Sequence, residues 1–294
     1  MSVRFFLNGC PKIGRCRPDG QLFSSIIGNL RQLRLFCLPI NSGNTAGMSE
    51  NKTKIAVITG VSSGLGKALA LHFRSQGVTV VGVSRTQPDF ELDGWIAADL
   101  TLPAGRQKVY DQIVEQYSAI DVLINNAGKG SYATWDEQSA NELRALLELN
   151  FFAPVELTKL MLPLLRAAHG TVINISSMAG NLPVPCMGAY CVSKAAFSLY
   201  SDTLRMELLR DGVKVLKVMP GRINTGFSSR AFGPRKPPET PAGGDAGRFA
   251  AQVYRAWCSG RRSLIYPWWY RLLLPLPSWL PGLYEKKSAA MWKL

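Results

Sequence analysis

Tyr190 and Lys194 stand four residues apart at the start of a helical stretch, residues 188–210, so both side chains fall on one helix face. A free phenol ionises near pKa 10 and carries protons poorly at pH 7. A neighbouring ammonium favours the phenolate, and lowering that pKa by ~3 units takes about 4 kcal/mol of differential stabilisation. Such a pair could move a proton to or from a substrate oxygen. A lone Tyr-x-x-x-Lys is common on helix surfaces, so its weight depends on its company. Ser177 lies 13 positions upstream, at the end of the apolar run 171–175.

The second group is a loop, Thr59-Gly60-Val61-Ser62-Ser63-Gly64-Leu65-Gly66. Gly60, Gly64 and Gly66 sit where an apolar strand turns into a helix. There glycines let the backbone approach a pyrophosphate, and the helix N-terminus offers free N–H groups and a positive dipole end. Ser62, Ser63 and Leu65 belong to the same cradle; a tight turn without a ligand is the plain alternative. Ribose specificity is read near the end of the second strand, where a carboxylate would hold a free 2′-hydroxyl. The chain has Ser84-Arg85 there and no carboxylate. Arg85 can pair with a 2′-phosphate and Ser84 can add a hydroxyl, which predicts NADP(H) in preference to NAD(H). The alternative is a solvated loop charge.

These groups need a scaffold, and the hydrophobic pattern supplies one. Apolar runs at 54–59, 78–83, 95–98, 121–125, 171–175, 213–219 and 263–266 read as strands. Helical patterns at 65–76, 103–117, 139–168, 188–210 and 245–258 alternate with them. The expected architecture is α/β, a doubly wound parallel sheet covered on both faces, in a single domain over residues 48–266.

The chain has 34 Lys and Arg against 20 Asp and Glu, a net charge of +14. Each end, 1–47 and 261–294, holds six basic residues and one acidic one, so most of the excess lies outside the sheet region. That argues against nucleic-acid binding, which would need basic residues clustered on the core. Six cysteines without a CxxC pair, and two isolated histidines, His72 and His169, predict no metal site and free thiols in a reducing compartment. Residues 1–47 are basic, almost free of acid and without periodicity. Two readings stay open: an over-extended start upstream of Met48, or a transit segment.

The motif order resembles the short-chain dehydrogenase/reductase family, across roughly residues 54–266. TGxxxGxG lies at 59–66, NNAG at 125–128, ISS-x-AG at 175–180, YxxxK at 190–194 and PGxxxT at 220–225. The resemblance implies a Rossmann-like sheet of about seven strands in the order 3-2-1-4-5-6-7. It implies hydride transfer between a nicotinamide cofactor and a carbonyl/alcohol pair. Tyr190 would be the proton carrier, and Ser177 would orient the carbonyl, with Ser176 its structural neighbour. Lys194 would bind the nicotinamide ribose and bias the tyrosine, and Asn150 would anchor a water relay to that lysine. Asn125, Asn126, Ala127 and Gly128 would line the adenosine-ribose side and Asp99 would reach the adenine. Pro220, Gly221 and Thr225 would flank the nicotinamide. A homodimer or homotetramer follows from the resemblance alone. The competing class, a non-catalytic dinucleotide sensor, would show loss of Tyr190, Lys194 or Ser177, and all three are present.

Residues 181–189, mostly apolar, should face the substrate, which points to a lipophilic ketone, aldehyde or alcohol. Residues 227–247, rich in Pro, Gly and Arg, read as a mobile lid. Lys129 can meet an anionic group or stand as a solvated charge. The tail, residues 267–294, combines Trp268, Trp269, Tyr270 and Trp279 with Arg271, Lys286 and Lys287. Pro275, Pro277 and Pro281 forbid one membrane-spanning helix. Two readings are open: an interfacial membrane anchor, or packing on the pocket or on a partner subunit. The location expected is cytoplasmic, with peripheral membrane contact through the tail.

Overall fold

A computed structural model describes residues 53–238 and 243–294; the readings made for residues 1–47 lie outside the described residues. Strand β1, Ile55–Thr59, is apolar except at its last residue and buried on both faces. β2 is Thr79–Ser84, β3 Gly94–Ala97, β4 Val122–Asn125, β5 Thr171–Ile175, β6 Lys214–Pro220 and β7 Ser263–Tyr266. All pair in parallel, in the order β3-β2-β1-β4-β5-β6-β7. The chain goes from β1 outward to β2 and β3, then returns to place β4 on the other side of β1. This reversal opens a crevice beyond the C-terminal ends of β1 and β4, where ligands bind in such sheets.

The helices are α1, Gly64–Ser75; α2, Pro103–Gln116; α3, Ala140–Leu147; α4, Ala153–Ala167; α5, Gly188–Glu207; and α6, Ala246–Cys258. Successive strand residues point to opposite faces, so each face carries its own core. Ala56, Ile58, Val80 and Ile124 meet Leu69 and Phe73 of α1 and Phe249 and Val253 of α6. Val57, Val81 and Leu123 meet Val109 and Ile113 of α2, Leu157 and Met161 of α4, and Leu204 of α5.

One expected helix is interrupted. Residues 139–168 read as a single helix, but Glu148–Phe152 forms a π-helical turn between α3 and α4. The cause lies in Pro154, which has no N–H to donate to the carbonyl of Asn150, four residues earlier, so the α ladder cannot run through this point. Arg106 ties the turn down. Its buried guanidinium meets Glu148 of the turn at 2.7 Å and Glu156 of α4 at 2.6 Å.

Beyond β7 the tail forms a 3₁₀ segment, Trp268–Leu273, then α7, Leu276–Trp279, and α8, Pro281–Met291. Residues 51–294 form one compact unit. Among the described residues no helix is long and apolar enough to cross a membrane. Cys186, Cys191 and Cys258 are free thiols.

Candidate active site

The glycine loop folds as its spacing requires. Gly60 has φ +73° and Gly64 φ +59°, conformations that favour glycine, and the Gly60 N–H donates to Val83 O at 2.7 Å. A β-carbon at Gly66 would stand 2.0 Å from the Gly60 carbonyl oxygen, so only glycine lets α1 sit this close to β1. Ser63 caps α1 in extended conformation but spends no side-chain bond on the helix, and the first turn of α1 has no acidic residue. The N-terminal N–H groups of α1 are thus left to an anion from outside the loop.

The NNAG segment divides its labour. Ala127 and Gly128 line the cavity, whereas the Asn125 side chain turns into the core and donates to Thr158 Oγ1 and Asn174 Oδ1, both at 2.9 Å. The expectation that Asn125 lines the adenosine site is therefore corrected. Asn126 borders the cavity, but its amide braces the loop by donating to Thr59 O at 2.8 Å. The Thr59 hydroxyl accepts from the N–H groups of Asn126 and Ala127, locking the ends of β1 and β4 together.

Ser84, Arg85 and Asp99 gather at the far end of the crevice. The Ser84 hydroxyl is already committed, donating to Thr86 O at 2.7 Å and accepting from Trp95 Nε1 at 3.0 Å. Its predicted donation to a 2′-phosphate is thus in competition with the fold. Arg85 is 77 % exposed and stands 4.0 Å from Asp99. Asp99 accepts from the backbone and hydroxyl of Thr101, and its carboxyl lies below the ordinary value because these bonds and Arg85 outweigh its burial, the largest single influence.

Ser177, Tyr190 and Lys194 come together at the C-terminal end of β5 and the start of α5. Ser177 lies just past β5, and its hydroxyl accepts from Ala179 N–H and hydrogen-bonds the Tyr190 side chain. Ser176 is turned away, bonded to Lys194 O and Ser198, a structural neighbour as anticipated. Tyr190 is buried at the start of α5, with Phe227 over it at 5.8 Å between ring centroids. Burial pushes the Tyr190 phenol well above its ordinary value, opposed by the bond to Ser177. This is opposite in direction to the depression expected from Lys194. Lys194 is itself buried, and loss of hydration brings its ammonium down to about 8, so it stays cationic at neutral pH. It donates to Ile175 O at 3.0 Å.

Asn150 comes to this group on the π turn. Its side-chain oxygen accepts from Lys129 N–H at 2.9 Å, and its amide donates to Lys129 O at 2.9 Å and Ser193 Oγ at 3.0 Å. A β-carbon at Gly128 would meet Asn150 Oδ1 at 3.1 Å and Lys194 Nζ at 3.5 Å, so the two side chains converge on this glycine.

The glycine loop, Arg85, Asp99, Ala127, Gly128, Ser177, Tyr190 and Lys194 line one cavity of about 1680 Å³, with Asn150 buried behind them. Pro220, Gly221 and Thr225 also border it, and Met178, Leu182, Val184 and Met187 form an apolar flank. The segment expected as a mobile lid is zipped down where it is described. Phe232 exchanges backbone bonds with Gly130 and Tyr132, and Arg235 donates to Tyr132 O. The Arg235 guanidinium pairs twice with Glu137, at 2.6 and 2.8 Å, holding that carboxyl down at about 2. Lys129 packs over the Phe232 ring rather than standing free in solvent.

Four contributors were not among the site residues named from the sequence. Trp292 packs on Tyr132 and, with Met291, borders the cavity next to its apolar flank. Tyr270 lies flat against Gly221, where a β-carbon would come within 2.2 Å of its ring, and its hydroxyl accepts from Arg222 N–H. Arg230 reaches back to Ser63 on the glycine loop. The reading of the tail as packing on the pocket covered Tyr270, Met291 and Trp292 as a group, and nothing in the sequence singled out Arg230.

A model of the short chain dehydrogenase family matches residues 54–234. The chain is 37% identical over 178 residues to 3-ketodihydrosphingosine reductase of Bacteroides thetaiotaomicron, covering 60% of this chain and 66% of that protein. It is 37% identical over 189 residues to 11-beta-hydroxysteroid dehydrogenase type 2 of Homo sapiens, covering 59% and 46%. The matches thus span less than two thirds of these relatives' own lengths. A crystal structure of a short-chain dehydrogenase from Streptomyces avermitilis superimposes with a TM-score of 0.69 at 30% identity, over 81% of this chain and 97% of that one.

Proposed function

Because the chain belongs to the short chain dehydrogenase family, a family of NAD(P)-dependent oxidoreductases, we propose that it interconverts a lipophilic ketone or aldehyde with its alcohol, using NADP(H) in preference to NAD(H). The observation that carries this reading is that Ser177, Tyr190 and Lys194 line one cavity together with the glycine loop at the uncapped N-terminus of α1, with Asn150 buried behind Gly128.

The residues present fit a dinucleotide. Gly60, Ser62, Ser63, Gly64, Leu65 and Gly66 would hold the pyrophosphate; Arg85 and Asp99 the adenosine end; Ala127, Gly128, Lys194, Pro220, Gly221 and Thr225 the nicotinamide half. When bound, the cofactor supplies or accepts the hydride. The protein supplies position and one proton. Burial keeps Tyr190 protonated, poised to donate to a carbonyl oxygen that Ser177 also hydrogen-bonds. Cationic Lys194 favours the phenolate left behind, and in the reverse direction that phenolate takes the proton back.

Two features support the finer choices. Among the described residues that line the cavity, Arg85, Lys129, Lys194, Arg222 and Arg230 are basic, and Asp99 alone is acidic. Such a balance suits a ligand with an extra phosphate. The apolar flank, continued by Tyr132, Met291 and Trp292, suits a substrate without polar decoration. Arg85→Ala should weaken NADPH by about 1.5–3 kcal/mol and leave NADH nearly unchanged. Titration with both cofactors checks this, and equal losses would remove Arg85 as the reader of the 2′-phosphate.

A peripheral membrane contact is the second part of the reading. Trp268 and Trp279 are 70 % and 77 % exposed, beside exposed Leu272 and Leu283 and the basic Arg271, Lys286 and Lys287. Aromatic residues with basic flanks suit an anionic lipid surface. Trp268→Ser combined with Trp279→Ser should abolish salt-sensitive binding to phosphatidylserine vesicles in flotation assays, with turnover of a water-soluble ketone retained. If the native chain ignores such vesicles, the membrane reading is dropped. The expected homo-oligomer draws support from a stripe of exposed Val192, Leu199 and Met206 along α5, seven residues apart.

A further inference from the structure

Arg230 occupies an electrostatically awkward place. It ends the 3₁₀ segment Ser228–Arg230, and its Nη1 reaches across the crevice to the hydroxyl of Ser63, the N-cap of α1. Its Nη2 stands 3.6 Å from where a β-carbon at Gly64 would be. A guanidinium is thereby set against the positive end of a helix dipole, which disfavours both. No acidic side chain offsets them: the first turn of α1 has none, and among the described residues no carboxylate pairs with Arg230. Arg235, five residues on, is by contrast fully engaged by Glu137. Two positive groups aimed at one point without a counter-charge are the arrangement an anion with several oxygens would stabilise.

We propose that Arg230 is a pyrophosphate-binding residue that closes over the glycine loop and grips the dinucleotide from the side opposite α1. This rests on the cofactor reading above. It differs from the role given to Arg85, because a pyrophosphate is common to both nicotinamide cofactors and a 2′-phosphate is not. Ser63 holds the guanidinium in register, and the planar fork of arginine can bond two phosphate oxygens at once. The same short segment carries Phe227 over Tyr190, so a grip at Arg230 also fixes the roof of the proton-transfer site.

The test uses the full chain and four probes: NADPH, NADH, ADP and adenosine 2′-monophosphate. Arg230→Ala should raise the Kd of NADPH and of NADH by the same factor, about 10- to 100-fold, and weaken competition by ADP similarly. Adenosine 2′-monophosphate, which has no pyrophosphate, should compete against a fluorescent probe as it does in the native chain. Arg230→Lys, which keeps the charge and loses the fork, should lie between the two and guards against misfolding as the cause. Unchanged affinity for both cofactors overturns the assignment, as does a loss confined to NADPH and adenosine 2′-monophosphate. A native chain that binds neither cofactor overturns the oxidoreductase reading itself, a result distinct from either.

Discussion

Tyr190→Phe should lower kcat for carbonyl reduction by roughly 10²–10⁴-fold while the Kd for NADPH changes little. The substitution removes one hydroxyl from a side chain that is otherwise packed against Phe227 and Leu146, so the ring and its surroundings stay in place. What is lost is the phenolic proton beside Ser177. Steady-state turnover of an apolar ketone together with a cofactor titration separates the two quantities. Near-native turnover would move the proton to another group; absence of turnover in the native chain as well, with cofactor still bound, would favour the non-catalytic sensor.

Deletion of residues 267–294 should be nearly as damaging, and for reasons of packing. A tail that served only as an anchor would leave the Tyr190 site untouched. Instead Leu273 and Leu274 cover Met178, Leu182 and Met219, Tyr270 covers Gly221, Tyr284 donates to Pro183 O at 2.7 Å, and Trp292 covers Tyr132. Burying a large apolar side chain contributes about 1.5–3 kcal/mol, so uncovering the equivalent of two costs about 3–6 kcal/mol. For a domain of this size that is a drop in Tm of roughly 6–24 °C. Calorimetry on the truncated chain checks this, with turnover expected to fall at least about tenfold as the cavity loses one wall. Unchanged melting and turnover would show that these contacts carry no weight.

These contacts support the packing reading of the tail, and the proposed membrane contact rests on its other, exposed face. That division could not be read in advance, because amphipathic pairing across 100 residues or more depends on the folded surface. The glycine loop was legible because backbone approach permits only glycine at Gly60 and Gly66, so spacing alone carries the information. Tyr190 and Lys194 were legible because helix geometry fixes their common face. The π turn was not, although Pro154 announced it: apolar periodicity over 139–168 hid the missing donor. Ser84 and Asn125 have the right residue types in the right strands, yet their hydrogen bonds go to Trp95 and to Thr158 and Asn174. Arg230 contacts a residue 167 positions away, and only the fold brings a side chain across that separation.

If the proposed membrane contact holds, the two-faced tail changes what a Michaelis constant would mean for this protein. Met291 and Trp292 wall the cavity, while Trp268 and Trp279 of the same segment point outward. With the outward face resting on lipid, a lipophilic substrate would be drawn from the bilayer rather than from water. The relevant concentration is then the mole fraction of substrate within the membrane. Adding empty vesicles at fixed substrate would slow the reaction by surface dilution, although nothing inhibitory had been added. Rates plotted against bulk concentration would scatter with the lipid content of each preparation, and would collapse onto one curve when replotted against mole fraction.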